Sequence, residues 1–487
     1  MKFKSKTLAV AVLLALGGSF SAAVDAAQEP APVTQAASDL AFARAVELAS
    51  KRAPQLASAQ AQIEQAEAAR KQAKGNLFPK LHADIEASSS TNPLNVFGMK
   101  VMQGNATFAD FGAGEFNPAN PNVLDVAPAD LNDPDEYHNI SSRLQLDIPV
   151  YNGGKIRGYV KMADAYVDAA EKGKEYNRQK LILDTLKAYE GVRTAKAYVD
   201  VAELGQKAAH AYVEIARKMY REGLVSKSDM LRAEVNLGEV DLKVTEARNF
   251  LNNTLAQLQM VTGLNNAIAT QVTDEVTPVL PEGTLDDFRQ QATDANPAIQ
   301  ALQKKVEASK AATKVAKADY LPHFNVMLRQ EWNDQDSIGG DSSYTIGGVL
   351  NWSLLDNGVR SAAVSKSQAE AAQNHADLRK AQDDLSVQVD KIWRDAQLAS
   401  EQVAVRAKGI GQAKEAERLE RLRYEQGIST LTQLLAVQTA LDKARADYVA
   451  ARYKETMQRA ALLFALGRLD LNLLETKTTA PGLANDL

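Results

Sequence analysis

The chain repeats one long plan in two successive copies, and that duplication limits its fold more than any other feature. "APQLASAQAQIEQAEAARKQAKGNLFPKL", from Ala53, matches "NPAIQALQKKVEASKAATKVAKADYLPHF", from Asn296. Pro54 and Pro79 lie 25 residues apart, as do Pro297 and Pro322. Leu56 answers to Ile299, Ile63 to Val306 and Ala73 to Ala316. Further on, "VYNGGKIRGYV" from Val150 matches "LDNGVRSAAV" from Leu355. "YREGLVSKSDMLRAEVNL", starting at Tyr220, then matches "YEQGISTLTQLLAVQTAL", starting at Tyr424. Gly263 and Gly467 follow those tyrosines at the same interval. Each copy therefore reads as helix, strand pair, long helix, turn, helix.

The long segments keep a stride of seven. Ala188, Ala195, Ala202, Ala209 and Ala216 form one seam. Leu378, Leu385, Ile392 and Ala399 form another, flanked by Val389, Ala396, Val403 and Ile410. A sustained seven-residue period predicts left-handed coiled-coil packing. From Lys155 to Arg221 the helix would run roughly 100 Å at about 1.5 Å per residue, far beyond a globular helix. Only 6% of the residues are aromatic, which suits long helices better than a large core.

Between the helices of each pair stands Tyr-x-x-Gly. Gly223 and Gly427 are each placed to end a long helix in the left-handed conformation that glycine adopts cheaply. Ser226 or Ser228, and Ser429 or Thr430, are placed to cap the return helix. Each phrase thus reads as the tip of an antiparallel hairpin; taken alone, the tips also fit an ordinary helix–turn–helix of a soluble bundle.

Four segments alternate with period two. Leu81, Ala83, Ile85 and Ala87 oppose His82, Asp84, Glu86 and Ser88; Ile140, Leu144, Leu146, Ile148 and Val150 oppose Ser141, Arg143, Gln145 and Asp147. Phe324, Val326 and Leu328 oppose Asn325, Met327 and Arg329; Tyr344, Ile346, Leu350, Trp352 and Leu354 oppose Thr345, Asn351 and Ser353. An apolar face toward lipid and a polar face toward a watery lumen fit a membrane barrel, with Trp332, Tyr344 and Trp352 as interfacial girdle residues. A soluble sheet resting on helices is the alternative. Four strands cannot close a barrel, since about eight is the practical minimum. Each unpaired backbone group at an open edge in lipid costs several kcal/mol. If these strands span a membrane, the chain must oligomerise, and three copies would supply twelve strands. The long connection over 90–138, rich in Asn, Pro, Gly and Asp, reads as an exposed loop on the outer side, where such loops are longer.

The N-terminus carries Lys2, Lys4 and Lys6, then an apolar run from Leu8 to Leu16, then small residues. This is the pattern of a secretory signal peptide over 1–26, and cleavage after Ala23 also fits. The apolar run is too short to span about 30 Å of hydrocarbon. The organisation expected is: linker 27–38; helices 39–80; strand pair 81–151; hairpin 152–262 with its tip near 222–229; inter-repeat linker 263–284; helices 285–321; strand pair 322–356; hairpin 357–468 with its tip near 426–433; and tail 469–487, unstructured after Leu474.

The doubled strand-pair and hairpin plan, the "YNGGKIR" and "LDNGVR" joints and the paired Tyr-x-x-Gly tips resemble the TolC-like outer membrane efflux protein family, from about Asp39 to Leu474. The resemblance implies a mainly α fold with a membrane β-barrel contribution. It implies a homotrimer, with a twelve-stranded barrel in outer-membrane lipid and a helical tunnel through the periplasm. It further implies an exit duct for efflux or type I secretion, docked at its tips by a periplasmic adaptor and an inner-membrane pump. The chain has no cysteine, which separates it from the lipid-anchored branch. Tip and gate residues carried over are Tyr220, Gly223, Ser226, Asp229, Tyr424, Gly427, Ser429 and Gln433. Tyr424 and Asp229 stand where the family links neighbouring hairpins, and a tyrosine hydroxyl donating to a carboxylate makes a strong bond. The alternative for Asp229 is a helix N-terminal acid favoured by the dipole. Ser429, Gln433 and Ala436 replace the family's charged gate residues, implying a less charged gate. Arg143, Gln145, Asp147, Asn325, Arg329 and Asn351 are the expected barrel-lumen residues.

The sequence offers no nucleophile motif, phosphate loop or metal-ligand spacing, so no cofactor and no enzymatic role are expected. His82, His138, His210, His323 and His375 are scattered, and "FGAGEF" near Phe111 sits in a loop rather than opening a helix after a strand. With 56 basic against 61 acidic residues, the charge balance gives no support for a nucleic-acid partner. A periplasmic adaptor or coiled-coil structural protein is the rival reading. Two hairpins and four amphipathic strands argue against it.

Overall fold

The computed structural model describes residues 40–264 and 272–478. The signal peptide and linker expected over 1–38 lie outside the described residues. The helices are α1 (Phe42–Arg52), α2 (Pro54–Gly75), α3 (Pro93–Met102), α4 (Ala129–Asn132), α5 (Lys155–Arg221), α6 (Lys227–Thr262), α7 (Leu285–Ala295), α8 (Pro297–Ala318), α9 (Val359–Glu425) and α10 (Leu431–Ala465). The strands are β1 (Lys80–Ser90), β2 (Tyr137–Tyr151), β3 (Asp274–Pro278), β4 (His323–Asp334), β5 (Asp341–Asn351) and β6 (Leu474–Thr478). Duplication is explicit in the lengths. Helices α5 and α9 hold 67 residues each, and α2 and α8 hold 22 each.

Residues 69–162 and 310–368 form one compact unit. Its centre is an antiparallel sheet in the order β1-β2-β4-β5. Residues paired across strands share a face, so the register sorts the side chains. Asp84↔Arg143, Gln145↔Arg329 and Arg329↔Thr345 put polar groups on one face. Leu81↔Leu146, Leu146↔Leu328 and Leu328↔Ile346 put apolar groups on the other. The register breaks between Pro149 and Tyr151, where proline has no N–H to give the ladder. Strand β5 ends at Asn351, so Trp352 and Leu354 lie past the strand rather than in it. Trp352 Nε1 instead donates to the Tyr320 carbonyl at 3.2 Å.

The connection expected to be a plain loop over 90–138 contains a real helix, α3. Asn92 caps it by accepting from the Leu94 and Asn95 amides, and Pro93 sits in the first turn, where its missing N–H costs nothing. Val96 and Met99 are buried. A short apolar helix inside an Asn/Pro-rich stretch is hidden by the composition around it.

The second unit comprises the remaining described residues, with both hairpins and the segments linking the repeats. The seam alanines Ala195, Ala209 and Ala216 are buried, as are Val389, Ala396, Ala399 and Ile410. A larger core gathers Phe42, Leu186, Tyr189, Val276, Leu463 and Leu474. The Tyr189 hydroxyl donates to the Leu40 carbonyl at 2.7 Å and accepts from the Asp274 amide at 3.0 Å. Burial pushes its pKa up to about 12. Glu190 beside it is buried, accepts from the Val276 amide, and is paired with Arg193 at 3.1 Å. Burial raises its pKa against the pull of Arg193.

The tail corrects an expectation. Leu474–Thr478 is a strand, not unstructured, and pairs antiparallel with β3 inside the inter-repeat linker, Val276 opposite Thr476. Its partner lies almost two hundred residues away, so nothing local announces it. Burial of Val276 and Leu474 anchors the pair, each worth about 1.5–3 kcal/mol if fully removed from water.

Candidate functional site: the paired tips and the polar sheet face

Both tips fold as the spacing predicts. Gly223 and Gly427 take φ of 73° and 74°. In each, the glycine amide donates to the tyrosine carbonyl three residues back, Gly223 to Tyr220 at 3.0 Å and Gly427 to Tyr424 at 2.9 Å. The next amide reaches one residue further, Leu224 to Met219 and Ile428 to Arg423, giving paired closing bonds typical of glycine-ended helices. The return helices begin with reciprocal capping boxes. Ser226 Oγ accepts from the Asp229 amide, while Asp229 Oδ2 accepts from the Ser226 amide at 3.3 Å and its hydroxyl at 2.7 Å. Thr430 and Gln433 exchange the equivalent bonds at 3.3 Å. The caps are therefore Ser226 and Thr430. Ser228 plays no such part, and Ser429 directs its hydroxyl to Glu420 and Gln433.

The tips of one chain pack on each other through Val213, Ala216, Met219, Ala233, Tyr424 and Leu434. Arg232 Nη1 donates to Thr432 Oγ1 across them at 2.7 Å. The equivalent tyrosines part company here: Tyr220 is 40% exposed and Tyr424 2%. No hydrogen bond joins Tyr424 to Asp229 in the single chain. The Tyr424 hydroxyl is buried without a hydrogen-bond partner, and the Asp229 carboxylate serves its own helix cap. Burial, then the Asp229 charge, raises the Tyr424 pKa.

A polar layer that sequence reasoning does not find lies among the apolar rungs. Tyr212 Oη sits 2.6 Å from Glu417 Oε1 and 2.8 Å from Gln438 Oε1, and Gln438 Nε2 donates to Asp442 Oδ1 at 2.8 Å. Burial, then Glu417, pushes the Tyr212 pKa upward, and burial also raises that of Asp442. The available signal was a tyrosine standing between Ala209 and Ala216 of the seam.

On the sheet, Arg143, Gln145, Asp147, Asn325, Arg329 and Asn351 all fall on one face by register. Arg329 Nε and Nη2 both donate to Gln145 Oε1 at 3.0 and 2.9 Å, and Gln145 Nε2 donates on to Asp147. Arg143 lies 3.5 Å from Glu331. Glu331, Asn139 and Asn333 complete the face and follow from continuing the alternation beyond Arg329 and before Ser141. Among the described residues no cluster of His, Cys, Asp and Glu has the arrangement of a metal site, and no helix is long and apolar enough to cross a membrane.

Comparison with known proteins places this architecture. The family described as "Outer membrane efflux protein" matches residues 45–264 and 288–468. Protein CyaE of Bordetella pertussis is 24% identical over 334 residues, covering 67% of this chain and 70% of that protein. The alkaline protease secretion protein AprF of Pseudomonas aeruginosa is 20% identical over 352 residues, covering 70% and 72%. The solved outer-membrane channel OprN superposes with a TM-score of 0.73 at 17% identity, covering 88% of this chain and 89% of that one. With both repeats matched, the chain belongs to the outer membrane efflux protein family.

Proposed function

We propose that three copies of this chain assemble into a passive exit duct of the outer membrane. Their sheets would close a twelve-stranded barrel, and their hairpins would form the periplasmic tunnel. One observation carries the reading. The four-stranded sheet keeps two unpaired edges, β1 and β5, while Leu81, Ile85, Ile346 and Leu350 stand exposed along its apolar face. Bare edges in hydrocarbon cost several kcal/mol per unpaired group. Joining β5 of one copy to β1 of the next removes every edge.

The hairpin tips are the docking end for a periplasmic adaptor and an inner-membrane pump, which supply the energy. Tyr220, Gly223, Ser226, Gly427 and Gln433 form the exposed part of that end, with Ser429 half-buried beside them. AprF is named for secretion of a protease and OprN for an outer-membrane channel; a polar conduit serves protein or small solute alike. The gate is proposed at Asp229 and Tyr424. A buried hydroxyl without a partner costs about 1–3 kcal/mol, and a neighbouring copy's tip could provide that partner.

The test joins cell fractionation, an unboiled gel and planar-bilayer conductance. An outer-membrane, heat-sensitive trimer is expected, with conductance rising in Asp229→Ala and Tyr424→Phe. A soluble monomer overturns the duct, while an unchanged conductance in both variants overturns the gate assignment alone.

A further inference from the structure

Helix α3 has a seat that a surface loop does not need. Two residues separate it from β1, at the end of the sheet opposite the joints to α2 and α5. From there it crosses the polar face rather than the apolar one. Leu94, Asn95 and Met99 line a hollow with Glu86, Arg143 and Glu331. At its far end Gln103 Nε2 donates to Asn139 Oδ1 at 2.8 Å and to the His138 carbonyl at 2.9 Å, and the Tyr137 hydroxyl donates to Gln103 Oε1 at 2.9 Å. Asn139 Nδ2 in turn donates to Asn333 Oδ1 at 3.1 Å. Gln103, Asn139 and Asn333 are all buried. Beyond them Gly104, at φ of 69°, lies so close to Asp341 that a Cβ would collide with the carboxylate. The segment thus reaches from β1 to the start of β5, over the whole width of the sheet.

Its support is fixed too. Lys100 Nζ meets Asp110 Oδ1 at 2.6 Å, and Asp110 Oδ2 accepts from the Thr107 amide at 2.6 Å. Lys100 first, then Thr107, holds the Asp110 carboxyl down at about 2. A depressed carboxyl stabilises above its usual pKa and loses that contribution only as pH falls toward about 2, so moderate acid leaves the clamp closed. Yet Leu94 is 79% exposed, and Val101 and Met102 are also exposed. Apolar surface is thus left uncovered on α3, and two of its residues, Leu94 and Met102, border the hollow with Glu86, Arg143 and Glu331.

Dimensions say what covers it. Twelve strands about 4.8 Å apart and tilted about 40° enclose a cylinder roughly 24 Å across, a radius of roughly 12 Å. A helix with its side chains is about 10–12 Å thick. One helix laid on the inner wall of each third of the cylinder therefore reaches the axis. We infer that three copies of α3, one from each protomer, meet across the outer mouth and close it as a three-bladed iris, with Leu94 and Val101 covered by the other copies. This rests on the trimeric barrel proposed above. The second strand pair, joined over residues 335–340 only, contributes no blade.

The chain has no cysteine, so single cysteines can report directly. Thr345→Cys places a thiol on the polar face, and intact cells are treated with a 5-kDa polyethylene-glycol maleimide. The labelling rate is compared between the full chain and a variant whose residues 92–136 are replaced by the 335–340 connection, each scored for trimer on an unboiled gel. Labelling at least tenfold faster in the shortened trimer is expected. Gln103→Ala, which keeps the full chain, is a second variant expected to accelerate labelling, and Leu94→Cys alone is expected to give interprotomer disulfides under mild oxidation. Equal labelling in trimers of all forms, with no Leu94→Cys crosslink, overturns the iris and leaves the duct standing. Absence of a trimer in the full chain overturns both.

Discussion

The two hairpin tips of this chain share one local design and have opposite surroundings. Each has its glycine at positive φ, its closing bonds and its capping box. Around that common frame, Tyr220 looks outward and Tyr424 is enclosed, while the box acid of the first tip, Asp229, is an amide, Gln433, in the second. Local backbone chemistry is therefore copied, whereas side-chain environment is set by which hairpin lies against which. A duplicated sequence can keep one turn in two places and enclose only one of its two tyrosines.

Truncating the two tyrosines should separate the tips most strongly. Tyr424→Ala empties a site shared with Val213, Met219 and Leu434, and should cost about 3–5 kcal/mol. Tyr220→Ala should stay within about 0.5 kcal/mol. Thermal and denaturant unfolding in detergent would read both, and equal losses would show that the two environments are alike after all. The capping boxes should behave in the contrary fashion, as equals. Ser226→Ala and Thr430→Ala should each lose about 1 kcal/mol in the same measurement, and a clear inequality would show that one tip carries hidden support. The smallest effect concerns position 442, whose equivalent in the first hairpin is Gly238. Burial raises the Asp442 pKa. An acid raised on folding favours its protonated form, so its contribution is whole below the ordinary carboxylate pKa and is lost as pH rises through the folded value. Asp442→Asn should flatten that decline in pH-dependent melts, and an unaltered slope would remove Asp442 as its source.

Much of this could be read directly from the residues. The seven-residue stride marked four alanines of α5 that are buried, Ala188, Ala195, Ala209 and Ala216, though Ala202 on the same seam is only half-buried, and the two-residue stride assigned all six expected polar-face positions to one face of the sheet. Glycine and proline marked the helix ends because their backbone limits are local. What stayed hidden depends on distant partners. Strand β6 exists only because β3 is brought beside it. The choice of Thr430 over Ser429 as cap follows from Glu420 attracting the serine. Helix α3 did carry a local sign, Asn92-Pro93 before an apolar run, but turn-forming residues on both sides outweighed it. The Tyr212–Glu417–Gln438 layer joins two hairpins roughly 200 residues apart in sequence, a proximity that no window along the chain reveals.

Helices α5 and α9 match in length to the residue, and this equality works as a yardstick. Inserting one heptad in only one of them would keep its own seam in phase while pushing its turn about 10 Å past the other, stripping Tyr424 of its neighbours. Changes in the reach of such a duct must therefore come in matched sevens, on the outgoing and return helices of both halves of the gene.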